Sequence, residues 1–176
     1  MPLRALVRTA TAADIPAITA IYRHHVLHGL ATFEIEPPDA AEMTHRFAAI
    51  RELGLPYLVA EISGEIAGYA YAAVYRARPA YRYTVEDSVY VHADRAAQGV
   101  GSTLMPSLIA GCAQAGRRQI IAVIGDSANL GSVRLHDKFG FKHTGLLPAV
   151  GFKFGRWVDS ILMQRDVGDG DRSPPV

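Results

Sequence analysis

A chain of 176 residues with a net charge of +1 is most simply one domain, long enough to enclose a substantial core. Balanced charge with no basic run argues against a nucleic-acid partner, and no run of 18 apolar residues argues for a membrane span. A single cysteine excludes an internal disulfide and fits a reducing compartment, and MPLRALVRTA has no apolar leader, so the expected location is the cytoplasm.

In chain order, Ala5 to Arg8 reads as a first strand. A helix is expected from about Asp14 to His28, with Thr11 or Asp14 as N-cap and Pro16 in its first turn. Ile15, Ile18, Tyr22 and Val26 would form its inner face. His24, His25 and His28 crowd the same helix, but no carboxylate or cysteine set accompanies them, so no metal is expected. Gly29 to Pro38 is a loop bearing Phe33 and Ile35, and a second helix runs from about Asp39 to Glu52. Tyr57 to Ile62 and Glu65 to Tyr75 make a hairpin about Ser63-Gly64. Residues 76–84, RARPAYRYT, form a loop or short helix.

The stretch that follows carries the chemistry. Val85 to Val91 is a strand, with Glu86, Ser88 and Tyr90 on one parity and Asp87 on the other. A helix then presents Val100, Leu104, Leu108 and Cys112 at every fourth position, which makes Cys112 a core residue; Pro106 should bend this helix. Between strand and helix lies Gly99-Val100-Gly101-Ser102, a turn that aims unpaired N–H groups and a positive dipole end at an anion such as pyrophosphate. The turn is mid-chain and Leu104 stands in place of a third glycine, which rules out a Rossmann fingerprint; no lysine follows, which rules out a Walker loop. Further on, Gln119 to Gly125 is an apolar run typical of a buried strand, and Asn129 to Phe139 a short helix that Asn129 can cap. His143 to Lys153 and Arg156 to Arg165 are closing strands about Gly155. Residues 1–167 are read as one domain, and GDGDRSPPV (168–176) as a disordered tail.

Ala96-Ala97-Gln98-Gly99-Val100-Gly101 resembles the acetyl-coenzyme A motif of the GNAT N-acyltransferase superfamily, with Ala96 replacing its leading Arg or Gln. NLGSVRLHDKFGF (129–141) is similar to that family's second motif. TVEDSVYV (84–91), GVGSTL (99–104), IAVIGDSANLGSVRLHDKFGF (121–141) and GFKFGRWVDSILMQ (151–164) resemble the phosphinothricin and methionine sulfone/sulfoximine N-acetyltransferase branch in particular.

The resemblance implies an α/β fold with a mixed, mostly antiparallel central sheet flanked by helices, whose splayed central strands hold acetyl-CoA. Backbone of Val89, Tyr90 and Val91 would hold the pantetheine arm, and Ala97, Gln98, Gly99, Val100, Gly101 and Ser102 the pyrophosphate. Asn129 and Lys138 would face the donor from the opposite helix. The loop Arg76-Ala77-Arg78 and the strand residues Glu86, Asp87 and Ser88 match the amino-acid-binding positions. Two arginines suit a carboxylate or phosphinate, and Phe33, Tyr81 and Tyr83 would wall the acceptor.

Acetylation of an ammonium needs a base, for which Glu86 is the candidate, Asp87 being the poorer one on the opposite face. His136 occupies the second motif's tyrosine position and would protonate the departing thiolate. The expected activity is direct acetyl transfer to the α-amino group of phosphinothricin, methionine sulfone or methionine sulfoximine, without a covalent enzyme intermediate. A homodimer is usual in this branch, and Phe152, Lys153 and Trp157 would serve either the pocket or that contact. The alternatives are acetylation of protein N-termini or other amines, and an inactive acyl-CoA-binding sensor.

Overall fold

A computed structural model describes residues 5–175; residues 1–4 and 176 lie outside the described residues. Seven strands form one sheet in the order β1-β2-β3-β4-β5-β7-β6. They are β1 (Leu6–Thr9), β2 (Tyr57–Ile62), β3 (Glu65–Val74), β4 (Thr84–Val91), β5 (Gln119–Gly125), β6 (Lys142–Lys153) and β7 (Arg156–Asp166). Every neighbouring pair is antiparallel except β4–β5. The helices are α1 (Ile15–His28), α2 (Ala40–Glu52), α3 (Val100–Gln114) and α4 (Leu130–Lys138). Element order and mixed sheet agree with the sequence reading, and the boundaries shift by a residue or two.

Both faces of the sheet are covered, which is why β2 is apolar almost throughout instead of alternating. On one face α3 buries Val100, Leu104, Leu108 and Cys112 against Ala70, Val85, Ile120 and Met163. On the other, Ile18, Tyr22 and Val26 of α1 and Met43 of α2 close over Tyr57, Tyr69 and Tyr90. Apolar helical spacing thus becomes two cores separated by the sheet.

The β4–β5 pairing sets the position of the site. It runs only from Thr84↔Gln119 to Asp87↔Ala122 and then stops. Beyond that point β4 stays with β3 as far as Val91↔Gly68, while β5 stays with β7 as far as Gly125↔Ser160. Each strand follows its outer partner, so the two diverge into a wedge in the middle of the sheet.

Residues 168–175 form turns and bends without helix or strand. Arg118 Nη1 lies 3.5 Å from the Asp169 carboxylate and donates to the Gly170 carbonyl at 3.3 Å, holding the segment against the start of β5. Arg118 lies just before β5, 52 residues from Gly170 in sequence.

Candidate active site

Glu86 is half-buried on β4, opposite Ala73 of β3, on the sheet face covered by α1 and α2. It has no ion pair with Arg78 or Arg82; the Arg82 guanidinium lies over the Tyr83 ring at 4.7 Å instead. Burial, and then the neighbouring Asp87 charge, push its carboxyl above the usual range. Beside it a cavity of about 290 Å³ is walled by Tyr22, Met43, Arg46, Tyr57, Tyr71 and Ala73. Arg46 donates to Glu34 at 2.6 Å, and Tyr22 Oη donates to the same carboxylate at 3.0 Å. The polar rim is therefore fixed by the loop after α1.

A second space opens at the wedge. A cleft of about 560 Å³ is lined by Val89, Val91, Ala97, Gly99, Gly101 and Lys138, among others. Gly99 has φ +82, a left-handed conformation that a side chain would strain, and this turns the chain into α3. No side chain caps the α3 N-terminus, so its first N–H groups stay open to an anion. Gln98 Nε2 is held by the Asp94 carbonyl at 2.9 Å, and Lys138 Nζ reaches Ser102 Oγ at 3.2 Å. Asn129 Oδ1 caps α4 through Ser132 N at 3.2 Å. Unpaired strand edge, open helix N-terminus and lysine together fit the pantetheine and pyrophosphate parts of acetyl-CoA. A larger cavity of about 760 Å³, lined by Arg8, Asp14, Glu65 and His92, contains neither Glu86 nor the glycine turn.

The remaining candidate residues are placed as follows. Asp87 does not share Glu86's face: it is buried, and its Oδ2 lies 2.9 Å from His136 Nε2. This is the orientation that the alternation of a regular strand predicts. His136 has no free ring nitrogen, because Nδ1 lies 2.7 Å from the Ser132 carbonyl. Phe33 folds over Gly125 and Gly151 at the end of the wedge. Arg76 is exposed and its guanidinium lies over the Tyr75 and Tyr81 rings, at 5.1 and 5.8 Å; Ala77 and Arg78 are exposed beside it. This loop continues β3 just past Val74, whose partner Val85 precedes Glu86, so it lies at the Glu86 end of the ladder.

Three contacts were missed. His25 Nε2 bonds the Val91 carbonyl at 2.8 Å, tying α1 to the end of β4 and occupying one expected donor contact. Burial lowers the His25 pKa, as fits a neutral ring donating Nε2–H to that carbonyl. Lys153 is buried and donates to the Thr32 carbonyl at 2.8 Å, with burial pulling its pKa down. The third is the Asp87–His136 pair. Only Lys153 left a local sign, lying between Phe152 and Phe154 at the tip of a hairpin.

Residues 7–162 match the family model described as an acetyltransferase (GNAT) domain. The chain belongs to the GNAT acetyltransferase family. Its sequence is 54% identical over 169 residues to the phosphinothricin N-acetyltransferase of Alcaligenes faecalis, covering 96% of this chain and 86% of the relative. It is 41% identical to the L-methionine sulfoximine/L-methionine sulfone acetyltransferase of Salmonella typhimurium, covering 90% and 92%. The crystal structure of a GNAT superfamily phosphinothricin acetyltransferase from Sinorhizobium meliloti in complex with AcCoA superposes with a TM-score of 0.95 at 46% identity. That match covers 100% of this chain and 94% of the other. The enzyme is an acetyl-CoA-dependent N-acetyltransferase.

Proposed function

We propose that this enzyme moves acetyl from acetyl-CoA to the α-amino group of phosphinothricin, methionine sulfone or methionine sulfoximine, in a ternary complex. The observation that carries the reading is the placement of Glu86, half-buried on the strand that separates the donor wedge from the tyrosine-walled cavity. Bound in the wedge, the thioester supplies an activated acetyl group. Glu86 takes the proton of the incoming ammonium, directly or through water, as nitrogen approaches the wedge. Arg76 and Arg78 attract the acceptor's carboxylate or phosphinate, while the cavity by Tyr71 takes its side chain. The His25 bond to Val91 and the Lys153 bond to Thr32 hold the strand and the loop around the pair of ligands.

Coenzyme A release tests the assignment, with the three amino acids, a polyamine and a short peptide as acceptors. Saturable turnover on the amino acids supports it. Turnover on the polyamine or peptide alone would replace the acceptor class, and donor binding without any turnover would favour an acyl-CoA sensor. Replacing both Arg76 and Arg78 by Gln should raise the acceptor KM about tenfold or more, by removing charge-assisted hydrogen bonds, with little change in the acetyl-CoA KM. Equal acceptor KM values would remove these arginines from recognition.

The reading also includes a cytoplasmic homodimer serving detoxification of, or resistance to, such amino acids. The β6–β7 hairpin supports the dimer: Leu146, Val150, Phe152, Phe154 and Trp157 are each more than half exposed, and β6 is an edge strand. So much apolar surface on one edge fits a self-complementary contact. Trp157→Arg should shift the solution mass in light scattering from two chains to one. A wild-type mass of one chain would end the dimer proposal. The unpaired Cys112 supports a reducing location.

A further inference from the structure

The buried pair at the apex of the wedge is absorbed by neither the acceptor nor the donor contacts described above. Asp87 and His136 face each other at 2.9 Å, with side chains 1% and 6% exposed. His136 Nδ1 faces the Ser132 carbonyl at 2.7 Å. A carbonyl oxygen only accepts, so Nδ1 carries a hydrogen. An ionised carboxylate also only accepts, so a bare Nε2 would set two lone pairs against each other at hydrogen-bond distance. A second hydrogen must therefore lie between Nε2 and Oδ2, whichever atom holds it. The two groups share that proton.

Their position gives the proton a destination. Asp87 and His136 line a narrow space of about 50 Å³ together with Val89, Asn129 and Ser132. Those last three also line the donor cleft, so the space is continuous with it. Asp87 is also the residue at which β4 parts from β5. The surroundings keep the proton in place. Cys112 of α3 and Asp137 of α4 supply no positive charge, Glu86 lies on the opposite face of β4, and the Phe141 ring meets the imidazole edge-on at 4.9 Å. Among the described residues no lysine or arginine pairs with Asp87, so His136 is its counter-charge. Burial alone would lower the His136 pKa; the Asp87 hydrogen bond and charge, helped by the Ser132 carbonyl, outweigh it and leave it raised.

We propose that Asp87 is a positioning residue for acetyl transfer: it holds a proton on His136 at the apex of the wedge, and the pair delivers that proton to the departing thiolate. The inference rests on the acetyl-transfer reading above. As the amine nitrogen bonds to the acetyl carbon and the carbon–sulfur bond breaks, the amine's proton passes to Glu86 and the sulfur's electron pair takes the proton from Nε2, the Asp87 carboxylate turning away so that no lone pairs are left opposed. Products are amide and thiol; the pair regains a proton from solvent, and Glu86 returns one to it. Oδ1 of Asp87 is buried without a protein partner, which leaves this carboxylate one acceptor site for a guest in the narrow space.

The experiment compares wild type with Asp87→Asn in two readouts. In protein free of substrates, NMR titration of the His136 ring should show its proton retained above the ordinary histidine pKa in wild type, and lost below it in Asp87→Asn. In turnover, the alkaline limb of kcat/KM should move to lower pH in Asp87→Asn. Its kcat at pH 8 should fall about 100-fold, the lower end of the usual range for acid catalysis. A donor thioester with a more acidic thiol should narrow that gap, which a merely structural defect would not do. An unchanged ring titration or an unchanged alkaline limb overturns the proposal. If Asp87→Asn fails to fold, a wild-type His136 titrating at or below the ordinary value overturns it alone. Absence of wild-type turnover on every acceptor would instead fault the acetyl-transfer reading, and the ring titration would still decide whether the pair holds its proton.

Discussion

Glu86→Gln should lower kcat/KM by about 10²- to 10⁴-fold, the usual contribution of a positioned base, and leave acetyl-CoA affinity nearly unchanged. The glutamine keeps the shape of the side chain and its place opposite Ala73 but cannot accept the ammonium proton. Its pH signature follows from the environment. Burial and the Asp87 charge raise the Glu86 pKa, so the wild-type acid limb should lie above the ordinary carboxylate range. The base form exists only above that raised value, so activity is lost as pH falls through it. In Glu86→Gln this limb should vanish. Activity within a few-fold of wild type, with the limb intact, would transfer the base role to another group.

The same argument ties the two halves of the site together. Asp87 is one covalent step from Glu86 but on the other face, and its charge still raises Glu86. Asp87→Asn should therefore move both limbs of the profile down: the acid limb because Glu86 loses a like charge, the alkaline limb because His136 loses its counter-charge. A simple structural lesion would lower the whole profile without moving its edges.

How much of this was legible in the chain depends on how local the cause is. Helices and strands were readable because Val100, Leu104, Leu108 and Cys112 recur with helical spacing, and because Gly99 and Gly101 mark a turn with a stated electrostatic purpose. Glu86 was legible for a similar reason: strand parity alone separates it from Asp87. The partners of buried polar groups were not. His25 looked like part of a metal cluster with His24 and His28, yet what it bonds is a carbonyl 66 residues away. Lys153 bonds a carbonyl 121 residues away. Neither partner is a side chain, so no pairing of residue types could reveal it. Asp87 and His136 both stood in recognised motifs, but their pairing depends on α4 lying across the apex of the wedge. The C-terminal contacts are equally remote: Arg118 bonds the Gly170 carbonyl 52 residues away, which composition could not reveal.

The second large effect is expected at Gly125, the last residue of β5. A Cβ built there would overlap the Leu30 carbonyl oxygen and approach Phe33 Cε1 to 3.2 Å. The obstacle is main chain, so it cannot be relieved by a rotamer change. Gly125→Ala must either push the loop after α1 away or bend β5 out of its ladder with β7. That loop carries Thr32, whose hydroxyl lies 2.9 Å from Tyr22 Oη and whose carbonyl takes the Lys153 bond. It also carries Ala31, which lines the donor cleft. The strain therefore reaches both ligands. An overpacked site of this kind costs about 1–3 kcal/mol. For a chain of this size each kcal/mol lowers Tm by about 2–4 °C. The acetyl-CoA KM should rise as well, because the wedge is closed at that end by the displaced segment. Gly145→Ala is the matched control: its Cβ would meet only Leu162 Cδ1, at an ordinary 3.7 Å. That variant should stay within about 0.5 kcal/mol of wild type. If Gly125→Ala melts with the control and keeps its donor KM, the loop yields to a methyl group without cost, and the wedge does not depend on the close approach of Leu30.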